Sequence, residues 1–205
     1  RGGGGVEETG MQGRPMTGGC VGDGSGPVYT AYHAAEWCVR DGEHRGLWEK
    51  LILGGFQAGL SWITILKKRD NFRTAFDGFD PVEIATWGEE DITRLLQNEG
   101  IIRHRGNIQA TIGNAQAYLK IDDFSGLCWS YVAGKPLQTN RETLSDVPGY
   151  TDMSTQFSKD LKKMGFKFCG PTIVYAWMQA CGLINDHLTN CPQHQPCRAL
   201  ASPPR

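Results

Sequence analysis

The chain has 205 residues, with 21 Lys and Arg against 22 Asp and Glu and a formal net charge of −1. That length suits one good-sized domain and is short for two, and the balanced charge excludes a global basic field, so any nucleic-acid contact must come from a local basic face. No apolar run approaches the ~20 residues that a membrane span needs, and an odd set of seven cysteines argues for reduced thiols in an intracellular protein over a secreted disulfide framework.

The opening Arg1-Gly-Gly-Gly-Gly stretch carries no apolar signal-like segment, so targeting is not readable from it. Residues 1–19 are glycine-rich with almost no large apolar side chain and read as a disordered tail. Residues 192–205, with Pro192, Pro196, Pro203 and Pro204, read the same way, which leaves a single folded domain over 20–191. Within it, Leu47, Leu51, Leu53, Ala58 and Leu60 form a run with apolar residues at helical spacing that continues to Leu66. Asp80-Pro81 opens a helix with a cap residue and a proline in the first turn. A helix from Glu90 to Gln97 ends at Gly100, and Ile108, Ile112, Ala115 and Leu119 mark another over 107–119. Residues 144–148 read as a turn, Ser154 caps a helix to about Met164, and a last helix runs from about Pro171 to Gly182. No segment alternates with period two for long, so the fold class expected is all-α.

Three constellations carry chemistry. Cys20 and His33 stand near the start of the folded part, on a loop and a helix start, and His187 and Cys191 stand at its end with the spacing of one helical turn. They are either a tetrahedral Cys2His2 zinc set tying the chain ends together or unrelated core cysteines and surface histidines. Gly165-Phe-Lys-Phe-Cys-Gly170-Pro171-Thr172 joins two helices beside Lys159, Lys162, Lys163 and Lys167. It is either an ordinary connection with a solvated basic face or a grip on a DNA phosphate made of backbone amides and local charge. Tyr29, Tyr32, Trp37 and Trp62 flank two candidate helix starts, with Lys67, Lys68, Arg69 and Arg73 after them and Arg103-His-Arg105 further on. They are either core aromatics or the stacking surface and basic strip that a base-extruding protein needs.

Taken together, several stretches resemble DNA-3-methyladenine glycosylase I of the helix-hairpin-helix superfamily. They are Tyr29-x-x-Tyr-His33 with Glu36-Trp37, Gln57-Ala-Gly-Leu-Ser-Trp-Ile-Thr-Ile-Leu-Lys-Lys-Arg69, Gly100-Ile-Ile-Arg-His-Arg105 followed by Ile108-Gln and Asn114-Ala, Gly165-Phe-Lys-Phe-x-Gly170, and Gln179-Ala-Cys-Gly-Leu-x-Asn-Asp-His187. The resemblance implies a helix-hairpin-helix glycosylase-like domain with structural zinc on Cys20, His33, His187 and Cys191. It also implies an excised base stacked on Trp62 and lined by Tyr29 and Tyr32, a duplex plug at Gly59 and Leu60, and a phosphate grip at Lys163, Lys167, Gly170 and Thr172. The implied partner is double-stranded DNA carrying alkylated bases, bound by a monomer.

The departures fall on the pocket. The family's base-contacting Glu corresponds to Gly54, a second pocket Trp to Gly22, a basic residue to Asn107, and the family's His-Asp-x-Glu-Trp-Gly reads His33-Ala34-Ala35-Glu-Trp-Cys38. No lysine stands out for Schiff-base chemistry, so a monofunctional enzyme is expected, with no catalytic residue assigned. Asp186 is expected to be structural, and whether Glu36 stands in for the missing carboxylate is left open. The alternative is a catalytically weakened homologue that binds DNA.

Overall fold

The structure, a computed structural model, describes residues 26–201. The tail expected at 1–19, together with Cys20 and Gly22, lies outside the described residues. Among the described residues, α1 (Gly26–Ala35), α2 (His44–Phe56) and α3 (Trp62–Ala75) are followed by two short helices, α4 (Pro81–Ile84) and α5 (Glu89–Leu96). Then come α6 (Arg105–Tyr118), α7 (Phe124–Ser130), α8 (Asp152–Lys163), α9 (Pro171–Ala180) and α10 (His194–Leu200).

Local chemistry sets these boundaries. Asp80 accepts from the Val82 amide at the head of α4, Asp123 from the Gly126 amide at the head of α7, and His104 Nδ1 from the Asn107 amide at the head of α6. The first turn of α5 carries Glu89, Glu90 and Asp91, which suits the positive end of the helix dipole. The helices close over an aromatic core. Trp48, Trp177, Tyr175, Phe56, Phe72, Phe76, Phe79, Phe124 and Phe157 are fully buried. The two indoles also tie elements together: Trp177 Nε1 donates to the Leu47 carbonyl at 2.9 Å and Trp48 Nε1 to the Phe79 carbonyl at 3.0 Å. Each bond satisfies a donor that burial would otherwise leave costly.

The fold is mostly helical, as expected, with one addition: strands β1 (Leu137–Gln138) and β2 (Ile184–Asn185) pair in parallel. Two residues each is too short for alternation to be visible in sequence. The apolar run from Leu47 to Leu66 is broken. Gln57–Ser61 leaves the helix, and Gly59 takes a φ of +77°, a left-handed conformation that a side chain disfavours. Ser154 is not the cap of α8. Thr151 is, its hydroxyl accepting from the Ser154 amide at 3.1 Å, while Ser154 Oγ accepts from the Thr151 amide at 2.9 Å.

The expectation of a disordered tail over 192–205 is corrected for its first ten residues, because α10 packs there. His194 and Cys197 are buried, the Asn185 side-chain amide donates to the His194 carbonyl at 3.1 Å, and His194 Nε2 lies 3.1 Å from the Thr139 carbonyl. The prolines misled the reading: Pro196 sits in the first turn of this short helix, where its missing N–H costs nothing.

Candidate functional site

A cavity of about 240 Å3 opens between α1, α2 and α3. Its α2 wall is Gly46, Glu49, Lys50 and Leu53, spaced as one face of a helix. Tyr32 of α1 and Glu36, just past its end, form another wall, and α3 contributes Trp62, Arg69 and Arg73. Tyr32 and Trp62 form the aromatic side, with ring centroids 5.8 Å apart and planes tilted by 48°. Both rings are almost wholly buried, and burial raises the Tyr32 phenol well above its ordinary range.

Three ion pairs form the polar side. Arg69 grips both carboxylate oxygens of Glu36, at 2.5 and 2.8 Å. The hydrogen bond from Arg69 is the main reason that Glu36 titrates below its usual range. Arg73 binds Glu49 Oε1 through Nε at 2.8 Å, and Lys50 Nζ binds Asp41 Oδ2 at 2.7 Å. Burial opposes the Lys50 charge, Cys181 and Asp41 favour it, and the ammonium ends above the ordinary lysine value. Lys50 thus faces the cavity as a paired cation, unlike the free amine a Schiff base requires.

The cavity sorts the residues read from sequence. It joins Tyr32 and Trp62, while Tyr29 and Gly54 lie outside its wall. Tyr29 is half-buried and packs on the core. Gly54 sits on α2, where a Cβ would meet only Ile173 of α9, at 3.6 Å. Glu36 is fully engaged by Arg69 and does not offer a spare carboxylate. Arg69 and Arg73, expected in a phosphate-binding strip, are instead spent on Glu36 and Glu49. Lys50, Glu49 and Asp41 were not singled out from the sequence: helix periodicity can group 46, 49, 50 and 53 on one face but does not say what that face meets.

A second cluster joins the chain ends. His33, His187 and Cys191 bring one ligand atom each within 4.8 Å of one another. Cys191 Sγ lies 3.7 Å from His33 Nε2 and 3.5 Å from His187 Nδ1. A tetrahedral ion with metal–nitrogen bonds of ~2.0–2.1 Å and a metal–sulfur bond of ~2.3 Å sets ligand atoms roughly 3.3–3.7 Å apart, so this donor set fits zinc. Burial, then the neighbouring His33, hold His187 down to about 4, in the neutral form that ligates. Its other nitrogen, Nε2, lies 3.2 Å from the Trp37 carbonyl, the outer contact that orients a ligating imidazole. His33 occupies the last turn of α1 rather than a helix start, and His187 and Cys191 meet through a turn, not a helix. Next to them Asp186 is fully buried and accepts from Tyr175 Oη, from Gln179 Nε2 at 2.9 Å and from Thr139 Oγ1 at 2.7 Å, which makes it a structural hub.

The third element is the connection between α8 and α9. Lys162, Lys163 and Lys167 are exposed along it. Gly170 caps α9 and Pro171 occupies its first turn, so the amides that open α9 carry no side-chain cap. The connection is held from behind by α6. The Asn114 side chain, buried, donates to the Lys167 carbonyl at 3.0 Å and accepts from the Lys167 amide at 2.8 Å. Ser158 Oγ donates to the Cys169 carbonyl at 2.6 Å. α2 approaches so closely that a Cβ on Gly55 would meet Phe168 at 3.3 Å. Asn107, buried in the first turn of α6, donates its backbone amide to His104. Gly59 and the exposed Leu60 form a tight turn between α2 and α3.

Comparison with known proteins gives a family match. The profile of the methyladenine glycosylase family matches residues 23–194. The chain is 53% identical over 169 residues to DNA-3-methyladenine glycosylase 1 of Escherichia coli (strain K12), covering 80% of this chain and 90% of that protein. It is 45% identical over 181 residues to DNA-3-methyladenine glycosylase of Haemophilus influenzae, covering 86% of this chain and 98% of that one. The structure superimposes on a crystal structure of 3-methyladenine DNA glycosylase I with a TM-score of 0.82 at 52% identity, over 83% of this chain and 96% of that one. The Staphylococcus aureus enzyme, studied for its recognition of 3-methyladenine, gives 0.81 at 41% identity, over 83% and 93%.

Proposed function

This chain belongs to the methyladenine glycosylase family, and from that premise we propose that it is a monomeric, monofunctional base-excision enzyme that extrudes an N3-methylated adenine from duplex DNA and hydrolyses its glycosidic bond. The observation that carries the reading is the Tyr32–Trp62 pair on the wall of a cavity, in a fold shared with enzymes of that name. An N3-methylated adenine is a cation that departs as a neutral base, so its glycosidic bond is already weak. The protein's task is to flip the base, hold it and exclude bulk water, and a water molecule then attacks the sugar carbon. Aromatic faces favour the cation by about 0.5–2 kcal/mol each.

In this reading Trp62 and Tyr32 receive the base, and Tyr29, which lies outside the cavity wall, is assigned to it by the resemblance alone. Leu60 on the Gly59 turn fills the gap left in the duplex. The amides opening α9 at Gly170 and Thr172, with Lys163 and Lys167, hold a phosphate in a helix-hairpin-helix grip. The paired state of Lys50 supports hydrolysis without a lyase step. Cys20, His33, His187 and Cys191 hold one structural zinc, which supplies a cross-link between the chain ends and no chemistry.

A second reading is favoured by one feature: Gly54 leaves the base without the family's carboxylate, and Glu36 is bound to Arg69. Under it the chain binds DNA with catalysis weakened. Release of free 3-methyladenine from methylated DNA by the purified chain decides between them. Release above the spontaneous rate supports the enzyme, and DNA binding without release supports the binder.

A further inference from the structure

We propose that Glu49 reads the base edge in this cavity: its open carboxylate oxygen accepts a hydrogen bond from the 6-amino group of an N3-methylated adenine and turns away a base that carries a carbonyl there. The inference rests on the glycosylase reading above and adds to it the residue that selects the base.

Two Arg–Glu pairs on the polar side of the cavity are built differently. Arg69 and Arg73 stand one turn apart on α3. Arg69 meets Glu36 fork to fork, with one N–H on each carboxylate oxygen, so both acceptors are spent. Arg73 instead sends both Nε, at 2.8 Å, and Nη2, at 2.7 Å, to the same oxygen of Glu49, Oε1. Its Nη1 turns away to Asp70, at 3.3 Å. Asp41 takes Lys50 on Oδ2 and the Glu43 amide on Oδ1. Among the described residues, Glu49 Oε2 is therefore the carboxylate oxygen of this wall with no hydrogen bond.

The Glu49 side chain is 14% exposed and lines the cavity. A carboxylate oxygen drawn that far from water gains from a donor that enters beside it. A flat base laid on the Tyr32–Trp62 side presents its edge to the polar side of the same cavity. Adenine's edge carries the N6 amino donor beside the N7 acceptor, whereas guanine's carries two acceptors, O6 and N7. Glu49 Oε2 accepts from the first, and O6 in the same place would set two acceptors against each other. Lys50, next in sequence and also on the wall, spends one of its three N–H groups on Asp41, which leaves a donor for N7. N3-methylation sharpens the choice, because its positive charge is shared with the amino group and makes the bond to Glu49 charge-assisted on both sides. That advantage is largest for the bound cation and fades as the base departs neutral, so Glu49 acts on capture more than on bond cleavage.

The test pairs one side chain with one group on the base. Duplexes carrying an uncharged 3-deaza analogue of 3-methyladenine, with or without its 6-amino group, are titrated into the full chain by fluorescence anisotropy. The parent should bind the amino-bearing duplex about tenfold to a hundredfold more tightly, the worth of a hydrogen bond to a charged group. Glu49→Gln keeps an oxygen for Arg73 and turns a donor toward the base, so this preference should disappear. On methylated DNA the same variant should raise KM for 3-methyladenine release and leave kcat no lower, whereas damage to the fold would lower kcat. Equal worth of the amino group in the parent and in a folded variant, or no preference by the parent alone, overturns the role of Glu49 and leaves the glycosylase reading standing. A parent that releases no 3-methyladenine and binds neither analogue above unmodified duplex overturns both.

Discussion

Two positions, Gly54 and Cys38, show how much a single residue governs in this molecule. The resemblance places Gly54 where the family carries a carboxylate, and a Cβ there would meet only Ile173, at 3.6 Å. Gly54→Glu should raise 3-methyladenine release by about one to two decades, the worth of a charge-assisted hydrogen bond, and Trp62→Ala should remove what activity the parent has. Both are read as initial rates of base release from methylated DNA. A fully active parent with no response to Gly54→Glu would place the base elsewhere. At Cys38, where the resemblance implies a glycine in the family pattern, the backbone has a φ of +62° and the amide donates to the Gln179 carbonyl at 3.1 Å. A side chain in that conformation costs about 1–2 kcal/mol. Cys38→Gly relieves the strain and loses a buried sulfur, and Cys38→Ala loses the sulfur while keeping the strain. The glycine variant should therefore be more stable than the alanine variant by about 1 kcal/mol in chemical denaturation, the reverse of the usual order. An alanine variant as stable as the glycine variant would show that the strain is not there.

Among the elements, the connection between α8 and α9 has the most to gain from its supports. Replacing Lys163 and Lys167 with Ala should weaken DNA binding alike for all sequences and reduce the salt slope, d log K/d log [salt], by about 2. Asn114→Ala removes both bonds to the Lys167 backbone without touching a charge, so it should lower affinity with the slope little changed. Fluorescence anisotropy over a salt series separates the two, and an unaltered affinity in both variants would move the grip elsewhere. This distinction bears on what was legible beforehand. Gly165, Gly170, Pro171 and the lysines announced a turn and a helix start because their backbone preferences are local. Asn114 was recognisable only as part of a motif, since its job depends on a partner 53 residues away. The same holds for α10, hidden by prolines and held by Asn185 and Thr139, and for the ion pairs of Lys50, Arg69 and Arg73, where periodicity locates a face but not what faces it. Periodicity and caps specify the helices, and what the helices bring together is a property of the folded chain.

For the whole molecule, the closing contact is that between α1 and residues 187–191, where Cys191 reaches a histidine 158 residues earlier in the chain. By loop-closure reasoning such a link removes on the order of 4–5 kcal/mol of chain entropy from the unfolded state. Freshly purified protein should contain one zinc per chain by elemental analysis, and a chelator should lower the melting temperature. Zinc well below one per chain would reject the site.

The two ends of this contact are not symmetrical. Tyr32 and His33 are neighbours on one helix of ten residues, one ring turned to the cavity wall and the next toward Cys191. If α1 opens as a unit, the event that frees His33 should also withdraw Tyr32 from the cavity wall. In the language of amide exchange, the protons of α1 and of residues 187–191 should share one opening free energy. That energy should lie below that of α2 and α9, which are locked by Trp177. Chelation should speed exchange in those two segments first, and the time the cavity spends assembled then becomes a quantity set by a contact 158 residues long in sequence and 3.7 Å in space.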